Sequence, residues 1–425
     1  MSTPKMVIVD GVRTPFCKAG TDFANLDADE LGKVAVNNLL TRNDLDPRLI
    51  DEVIVGCVGN PNDAANLGRV IALRAGIPDS VPAITVSRNC ASGMEAFTQA
   101  YEKICADRGE IFVVAGVESM SNYPLLFNEA AKAKFTKLAR ARGMMKRLNV
   151  LASFRPSDLS PRIALQLGLN DPVVGMNMGE TAELLIREGG ISREEQDEFA
   201  LESHLRAASS LEQLEEEICP VYNKGKAILF DNGVRENQTM EALGKLRPVF
   251  DRRNGTVTAG NASQITDGAV ALLVMTERKA AELDLKPIGE LTGYTYAGCD
   301  PARMGLGPVH AMAKAEERTG LNVDSADLVE INEAFAAQVL ACLQAVESEK
   351  FARKVLGRAR PVGAIPMEKL NVNGGGISLG HPVGATGARL ILTSLRELKR
   401  RHQKRALLSL CVGGGQGAAI WLEAL

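Results

Sequence analysis

The chain has 425 residues, of which 45% are hydrophobic and 24% charged, a composition typical of a folded globular protein with more than one domain. The formal net charge of −3 argues against a general nucleic-acid binder, and no apolar run approaches the roughly 20 residues that a membrane helix needs. Eight cysteines stand singly without a Cys-x-x-Cys pair, and only four histidines are present, so we expect neither a metal site nor a disulfide scaffold.

The first residues form a short polar stretch that leads directly into a strand-like segment at 6–10. This leaves no room for the charged, apolar and cleavage regions of a secretion signal. We therefore expect a cytoplasmic protein, or one of the mitochondrial matrix or peroxisome if it is eukaryotic and processed.

Short apolar runs alternate with Ala-rich amphipathic stretches, which is the pattern of an α/β protein with buried strands. We predict strands at 53–55, 83–86, 111–115, 269–275 and 407–410, and helices at 94–108, 192–214 and 386–400. The order strand, special loop, helix, strand occurs near both ends of the chain. That order alone does not distinguish an internal duplication from a coincidence, and the two interpretations have equal weight.

The segment from about 122 to 250 interrupts this pattern, because it is richer in charge and lacks clear buried strands. We predict that it is an insertion between the last strands of the first half. Within it, residues 130–156 hold eight basic residues and no acidic one. Four apolar residues there have the spacing of one shared helical face: Phe135, Leu138, Met145 and Leu148.

Cys90 is the first candidate for chemistry. The strand at 83–86 leads into a tight turn, and an Ala-rich helix begins just after the cysteine. The positive end of a helix dipole favours a thiolate and can depress its pKa to about 3.5–7.5. The alternative is a buried structural cysteine at a strand–helix junction.

His381 lies in a glycine-rich loop at 373–387, where the backbone can approach a ligand closely. A histidine held between Gly380 and Pro382 is suited to acid–base work or to polarising a carbonyl. A phosphate-binding loop is disfavoured because the required Lys-Ser/Thr pair does not follow.

Two further segments bring polar groups to strand ends, where the sites of α/β proteins gather. Cys411 leaves a buried strand for a run of glycines, and Gly413 could offer an unobstructed N–H to an oxyanion. Asn332 ends another strand, and its alternative interpretation is a helix cap.

Together these four segments resemble the thiolase family. The matching motifs are Cys-Ala-Ser-Gly at 90–93, Asn-Glu-Ala-Phe at 332–335, Gly-His-Pro at 380–382 and Cys-x-Gly at 411–413, in the order found in that family. Supporting matches occur at 13–16, 115–121 and 255–263, so the resemblance spans essentially the whole chain.

The resemblance implies the thiolase fold, an α/β architecture in which two duplicated βαβαβαββ halves form a five-layer αβαβα sandwich. It divides the chain into an N-terminal half at 1–121 and 251–284, an inserted loop domain at 122–250 that binds CoA and the acyl group, and a C-terminal half at 285–425.

The resemblance also implies roles for the site residues. Cys90 would attack the acyl carbon and hold it as a thioester, and His381 would take the Cys90 proton. Cys411 would remove or return the α-proton of acetyl-CoA. Asn332, through a bound water, and His381 would stabilise the enolate oxygen. The backbone N–H groups of Cys90 and Gly413 would form a second oxyanion hole.

Other positions imply substrate contacts. Ser263 matches a residue near the CoA pantetheine, and Met178 and Met304 match residues near the acyl pocket. CoA and acetyl-CoA would be substrates, with no prosthetic group and no metal. Asn177 stands where short-chain biosynthetic members usually have His, which weakens an acetoacetyl-CoA specificity, and His310 stands where Pro is more usual.

We therefore predict a 3-oxoacyl-CoA thiolase (acetyl-CoA C-acyltransferase) that cleaves 3-oxoacyl-CoA in fatty-acid β-oxidation. One alternative is an acetoacetyl-CoA biosynthetic thiolase, and another is a membrane- or complex-associated component with another condensing activity. Ketoacyl synthases of the same fold pair their Cys with two histidines, whereas this chain has Asn332 and Cys411 in those places.

The basic segment 130–156 resembles that of the thiolase subunits of β-oxidation complexes. This implies a contact with a hydratase/dehydrogenase α-subunit or with a membrane surface, and relatives imply a homodimer or homotetramer. A solvated charged helix is the simpler interpretation. No nucleic-acid partner is expected.

Overall fold

The computed structural model describes residues 4–425. Residues 1–3, on which the expectation about secretion partly rests, lie outside the described part. The strands are β1 (Met6–Arg13), β2 (Cys17–Lys18), β3 (Glu52–Gly56), β4 (Ala83–Val86), β5 (Ile111–Ser119), β6 (Leu125–Leu126), β7 (Arg162–Ile163), β8 (Val221–Asn223), β9 (Lys226–Ile228), β10 (Thr266–Thr276), β11 (Gly289–Gly298), β12 (Leu328–Ile331), β13 (Arg405–Val412) and β14 (Gln416–Ala424).

The α-helices are α1 (Ala28–Arg42), α2 (Leu67–Arg74), α3 (Ser92–Cys105), α4 (Glu129–Arg140), α5 (Met144–Ala152), α6 (Ala164–Gly168), α7 (Met178–Gly189), α8 (Arg193–Ser209), α9 (Leu211–Glu215), α10 (Met240–Gly244), α11 (Glu277–Glu282), α12 (Gly307–Thr319), α13 (Ala336–Glu347), α14 (Glu349–Lys354) and α15 (Val383–Arg401). The predicted strands lie within β3, β4, β5, β10 and β13, and the predicted helix at 192–214 is divided into α8 and α9.

Within residues 4–425, ten strands form one continuous hydrogen-bonded sheet in the order β12-β13-β14-β11-β1-β10-β5-β3-β4, with β2 paired to β10. In the N-terminal half, β3 is parallel to β4 and β5, and β10 is antiparallel to β5. The C-terminal half repeats this order, since β12 is parallel to β13 and β14 is antiparallel to β13. The halves meet where β1 pairs with β11.

The alternating side chains of β1 show how the layers are stacked. Val7 and Val9 belong to a core that includes α1 and α2, whereas Met6 and Ile8 belong to a core that includes α3 and α15. That second core also contains apolar residues of β13 and β14, and a third core lies between the C-terminal strands and α12 and α13. Strands buried on both faces need continuous apolar sequence, as observed. The five-layer αβαβα arrangement is thus confirmed.

The central layer brings the N-termini of α3 and α15 together because glycines stand at the crossing. A Cβ atom on Gly93 would lie 2.8 Å from the Ala388 nitrogen, and one on Gly387 would lie 2.7 Å from the Met94 nitrogen. Such close approach tolerates only the smallest residue. As a result, the turn that carries Cys90 and the loop that precedes α15 are neighbours.

The chain between β5 and β10 contributes no strand to the large sheet among the described residues, and forms helices and two separate short strand pairs, β6–β7 and β8–β9. The predicted single helical face in its basic segment is wrong. α4 ends at Arg140 and α5 begins at Met144, with Gly143 at φ 93° between them. Phe135 instead packs against Phe127 and Phe154, with ring centroids 4.8 and 5.0 Å apart. None of the helices in the described range is both long and apolar enough to cross a membrane.

Candidate active site

Cys90 stands in the sharp turn between the end of β4 and the start of α3, as predicted. The turn is sharp because Asn89 adopts the left-handed region, with φ 45°. The Ser92 hydroxyl donates a hydrogen bond to the Asn89 carbonyl at 2.7 Å and accepts one from the Arg88 N–H at 2.9 Å. These bonds fix the turn that carries Cys90, a residue of intermediate exposure.

The Cys90 thiol opens into a cavity of about 430 Å³ between the sheet ends and the inserted segment. Much of its wall is apolar, which suits a ligand with a hydrocarbon portion. Apolar lining residues include Met120, Leu165, Leu167, Leu169, Val173 and Met178. The structure thus brings Met178 to the same cavity as Cys90.

Ser263 and Met304, the other two predicted substrate contacts, are not among the residues that line this cavity. The Ser263 N–H donates to the Ala334 carbonyl at 2.9 Å, behind the Asn-Glu-Ala-Phe loop. Met304 is 3% exposed and packs in the core of the C-terminal half. Their proposed contacts remain predictions.

Burial raises the pKa of Cys90 to about 11, although the backbone N–H groups of Gly413 and of Cys90 itself act in the opposite direction. The expectation of a depressed thiol pKa at the helix N-terminus is therefore wrong, because the loss of solvent outweighs the local dipoles. The resting cysteine is a thiol and needs a base. The contact of the Gly413 N–H with the sulfur also joins this turn to the C-terminal half.

Cys411 lies near the end of β13, is 1% exposed and stands opposite Gly417 of β14. Burial raises its pKa well above the ordinary value, and the nearby charge of a Cys90 thiolate would raise it further. The two sulfurs are therefore close enough to interact electrostatically, and Cys411 is a thiol at neutral pH.

The His381 ring is held through both of its nitrogens. Nδ1 lies 2.6 Å from the Thr386 hydroxyl oxygen, and that hydroxyl donates to the Pro382 carbonyl at 3.1 Å. With its single hydrogen committed to the carbonyl, the Thr386 oxygen accepts from Nδ1–H, which assigns the lone pair of the ring to Nε2. Burial lowers the pKa of His381 to about 3, and the positive charge of Arg389 contributes. The imidazole is neutral and able to accept a proton.

Asn332 follows β12, and its Nδ2 atom lies 3.4 Å from Nε2 of His381. Its backbone N–H donates to the Ser409 carbonyl at 3.0 Å. Its side-chain oxygen Oδ1 is buried and has no hydrogen-bond partner among the described residues, so it is available to a bound donor. The helix-cap interpretation is wrong, because the residue that caps α13 is Phe335.

Glu118, at the end of β5, links the loops around the site but was not singled out from the sequence. Its buried carboxylate accepts hydrogen bonds from the N–H groups of Val58 (3.1 Å), Gly59 (2.8 Å) and Gly384 (3.0 Å) and from the Tyr123 hydroxyl (2.8 Å). It thereby ties the loop after β3 to the first turn of α15. Only its place in the matched stretch 115–121 distinguished it in the sequence.

Asn177 and His310 do not line the Cys90 cavity. Asn177 caps α7: its side chain accepts from the Glu180 N–H at 2.9 Å, and the Glu180 carboxylate accepts from the Asn177 N–H at 2.7 Å. His310 lines a separate cavity, edge-on to Phe351 at 5.8 Å. Among residues 4–425, neither side chain forms a hydrogen bond with Cys90, Asn332, His381 or Cys411.

All eight cysteines are free thiols in the structure. Among residues 4–425, no group of three or more His, Cys, Asp or Glu side chains is arranged to hold a metal ion.

This fold and this set of thiols, imidazole and amide define a class of acyl-transferring enzymes. The family model described as the thiolase N-terminal domain matches residues 6–278, and that of the thiolase C-terminal domain matches residues 285–424. A 3-ketoacyl-CoA thiolase of Photobacterium profundum is 39% identical over 425 residues, covering 99% of this chain and 97% of the relative.

Solved structures give the same result. An acetyl-CoA acetyltransferase of Bacillus anthracis is 38% identical with a TM-score of 0.86, covering 100% of this chain and 99% of its own. Human mitochondrial 3-ketoacyl-CoA thiolase in complex with CoA is 33% identical with a TM-score of 0.85, covering 100% and 98%. The chain therefore belongs to the thiolase family. The predicted enzyme class, an acyltransferase, is confirmed.

Proposed function

We propose that this thiolase cleaves 3-oxoacyl-CoA thioesters with CoA, giving acetyl-CoA and a shortened acyl-CoA through an acyl-enzyme on Cys90. The observation that carries the proposal is the Cys90 thiol, which opens into an apolar-walled cavity with the Gly413 N–H against its sulfur and Cys411 close enough to interact with it electrostatically. The names of the Photobacterium and human relatives support the same reaction. We assign it to fatty-acid β-oxidation.

In the first step, the Cys90 proton passes to Nε2 of His381 while the sulfur bonds to the 3-oxo carbon. The oxygen that becomes negative accepts hydrogen bonds from the N–H groups of Cys90 and Gly413. The bond between the second and third carbons then breaks, and its electron pair forms the enolate of acetyl-CoA. Asn332, through a water held at its otherwise unpartnered Oδ1, and His381 stabilise the enolate oxygen.

In the second step, Cys411 gives its proton to the α-carbon of the enolate, and acetyl-CoA leaves. Its raised pKa suits this role, because the thiol is protonated at rest. CoA then gives its thiol proton to the Cys411 thiolate and attacks the Cys90 thioester. Cys90 departs, recovers its proton from His381, and the shortened acyl-CoA is released.

For substrate binding we propose that the inserted segment 122–250 is the loop domain that receives CoA and the acyl chain. The N-terminal half would then comprise residues 1–121 and 251–284, and the C-terminal half residues 285–425. The apolar wall around Leu165 and Val173 favours acyl groups longer than acetyl. Met178 would contact the acyl group from the cavity wall, whereas Met304 would act from behind it and Ser263 would lie along the pantetheine path.

Intact-mass spectrometry tests the acyl-enzyme. Acetyl-CoA should add one acetyl group to the wild type and none to Cys90→Ser. Cys105→Ser is a matched control, because Cys105 ends the same helix α3 and is exposed far from the cavity. Full acetylation of Cys90→Ser would overturn the assignment of the nucleophile.

A panel of kcat/KM values for acetoacetyl-CoA and longer 3-oxoacyl-CoAs separates the degradative enzyme from the acetoacetyl-CoA alternative. That alternative has support in the name of the Bacillus relative. We expect kcat/KM to rise with chain length beyond acetoacetyl-CoA. A maximum at acetoacetyl-CoA would assign the biosynthetic reaction instead.

A second proposal concerns the α4–α5 surface, which we define as residues 129–155. On α5, Met144 is 80% exposed and Met145 71% exposed, and Leu148 and Leu151 are half exposed. Several basic side chains form no ion pair among the described residues: Lys137, Arg140, Arg142, Lys146, Arg147 and Arg155. A protein surface that combines exposed apolar residues with unpaired cations is suited to binding an anionic lipid membrane.

Co-sedimentation with phosphatidylcholine vesicles, with and without an anionic lipid, tests this surface. We expect binding only with the anionic lipid, release at high salt, and loss of binding in the double variant Lys146→Glu/Arg147→Glu. The double variant Lys286→Glu/Lys350→Glu is the matched control, because it makes the same charge change at exposed sites on another part of the molecule. If the vesicles are not bound at low salt and this surface instead captures a hydratase/dehydrogenase subunit, the lipid assignment is wrong and the partner is a protein.

For assembly we propose a homodimer that pairs along β4, with a homotetramer as the larger alternative. β4 ends the large sheet, so one of its backbone edges is unpaired, and Ile84 on it is 41% exposed. Light scattering after size-exclusion chromatography tests this, and a monomeric mass would overturn it. We place the enzyme in the cytoplasm, or in the matrix or peroxisome of a eukaryotic cell.

A further inference from the structure

We propose that Asn89 is a positioning residue, which holds the Gly413 N–H in place for acyl transfer to and from Cys90. The inference rests on the proposed function, since it assumes that Cys90 is the acylated nucleophile. Its geometric basis is a hydrogen bond in which Nδ2 of Asn89 donates to the Gly413 carbonyl at 2.7 Å. The two residues are 324 positions apart and belong to different halves of the fold.

The turn between β13 and β14 needs such an anchor, because it consists of three consecutive glycines, 413–415. Gly414 has φ 89° and Gly415 has φ 77°, and no side chain of the turn itself can fix it. At the far end, the Cys299 N–H donates to the Gly415 carbonyl at 2.8 Å. At the near end, the Asn89 amide provides the corresponding bond to Gly413.

Asn89 is suited to this role by its backbone. Its φ of 45° lies in the left-handed region, which asparagine tolerates better than most residues. The same conformation bends the chain so that Cys90 faces the cavity and the amide of Asn89 faces the glycine turn. Arg88 adds a second bond between the two turns, since its guanidinium donates to Oε1 of Gln416 at 3.0 Å.

The expected effect is selective. The N–H of Cys90 belongs to a turn closed by the Ala91 and Ser92 N–H groups, which donate to the carbonyls of residues 88 and 89 at 3.0 Å each. The Gly413 N–H depends on a turn of glycines. An oxyanion hole stabilises the negative oxygen less well when one of its N–H donors is displaced by about 1 Å or less. The groups that handle the enolate, Asn332 and His381, form no hydrogen bond with Asn89. Acyl transfer should therefore slow while α-proton removal continues.

Two variants change the amide and tolerate the left-handed backbone conformation of Asn89. Asn89→Gly retains the left-handed φ and removes the donor, and Asn89→Asp places an anion against the Gly413 carbonyl. We expect the rate of Cys90 acetylation by acetyl-CoA to fall roughly 10- to 100-fold in both, with KM changed less than about 3-fold. Loss of deuterium from deuterated acetyl-CoA, measured on enzyme that is already acetylated, should stay within about 2-fold of wild type.

Asp107→Gly is the matched control, because Asp107 has φ 55°, is exposed and follows the far end of α3. It should acetylate at the wild-type rate. An unchanged acetylation rate in Asn89→Gly would overturn the inference, as would an equal loss of acetylation and exchange accompanied by a lower melting temperature. If the wild type itself is not acetylated on Cys90, the proposed function fails rather than the role of Asn89.

Discussion

The Nε2 atom of His381 lies 3.4 Å from Nδ2 of Asn332, while Nδ1 on the other side of the ring lies 2.6 Å from the Thr386 hydroxyl. The hydroxyl fixes the tautomer, and the Asn332 amide N–H donates to the lone pair on Nε2. The proposed base, His381, therefore depends on a threonine one helical turn into α15.

Thr386→Val should lower kcat for thiolysis about 10- to 100-fold, because Nδ1 loses its acceptor and the ring can turn or change tautomer. The volume of the side chain is nearly unchanged, but the buried Nδ1–H is left without an acceptor, so the melting temperature should fall and kcat is compared well below it. Thr386→Ser keeps the hydroxyl and should retain kcat within about 3-fold of wild type. Wild-type kcat in Thr386→Val would show that Thr386 does not orient the base.

The raised pKa of Cys90 predicts how its reactivity depends on pH. Since that pKa is about 11, the thiolate fraction of the free enzyme grows with pH throughout the neutral range. The rate of alkylation by iodoacetamide should rise about tenfold per pH unit between about pH 7 and pH 9. Peptide mass spectrometry of Cys90 measures it, and a plateau by about pH 8 would instead support a thiol activated by the helix dipole.

Cys411→Ser should separate the two half-reactions. A serine hydroxyl is a far weaker acid than a thiol and cannot exchange the α-proton of acetyl-CoA, whereas Cys90 still faces the cavity and can be acetylated. We expect normal acetylation by intact mass but a loss of α-proton exchange of about 100-fold or more. Cys299→Ser, near Cys411 but in another cavity, is the control. Exchange at the wild-type rate in Cys411→Ser would remove its role as acid and base.

The parts of the molecule that sequence predicted are those set by local pattern. The strand at 83–86, the turn at Cys90 and the helix after it follow from apolar runs and small residues in adjacent positions. The five-layer stacking followed from the family resemblance, and the buried strands agree with it. The ends of elements were less accurate, as the division of the basic segment at Gly143 illustrates.

The features that could not be predicted depend on contacts between distant segments. The direction of the Cys90 pKa shift depends on how completely the folded chain excludes water, which no residue near Cys90 in sequence reports. Likewise, the bond from Asn89 to Gly413 exists only because β4 and β13, from different halves, end at the same place. Met304 is a matched position that the fold buries in the core rather than in the cavity wall.

Glu118 provides the last prediction, which concerns stability. Its carboxylate is the common acceptor for three backbone N–H groups, on Val58, Gly59 and Gly384, and for the Tyr123 hydroxyl. Glu118→Ala would leave these donors buried without an acceptor, and we expect it to lower the free energy of unfolding by about 3–5 kcal/mol. Tyr123→Phe removes one donor and leaves the carboxylate with its three backbone N–H donors. It should lower the free energy of unfolding by only about 1 kcal/mol.

Urea unfolding followed by circular dichroism measures both losses, and the ratio between them is the informative quantity. If the carboxylate joins the loop after β3 to α15, Glu118→Ala should also lower the rate of Cys90 acetylation, because both turns of the site shift with it. Equal, small losses of about 1 kcal/mol in the two variants would mean that water replaces the carboxylate at little cost. Glu118 would then be a local acceptor and not the link between the two halves.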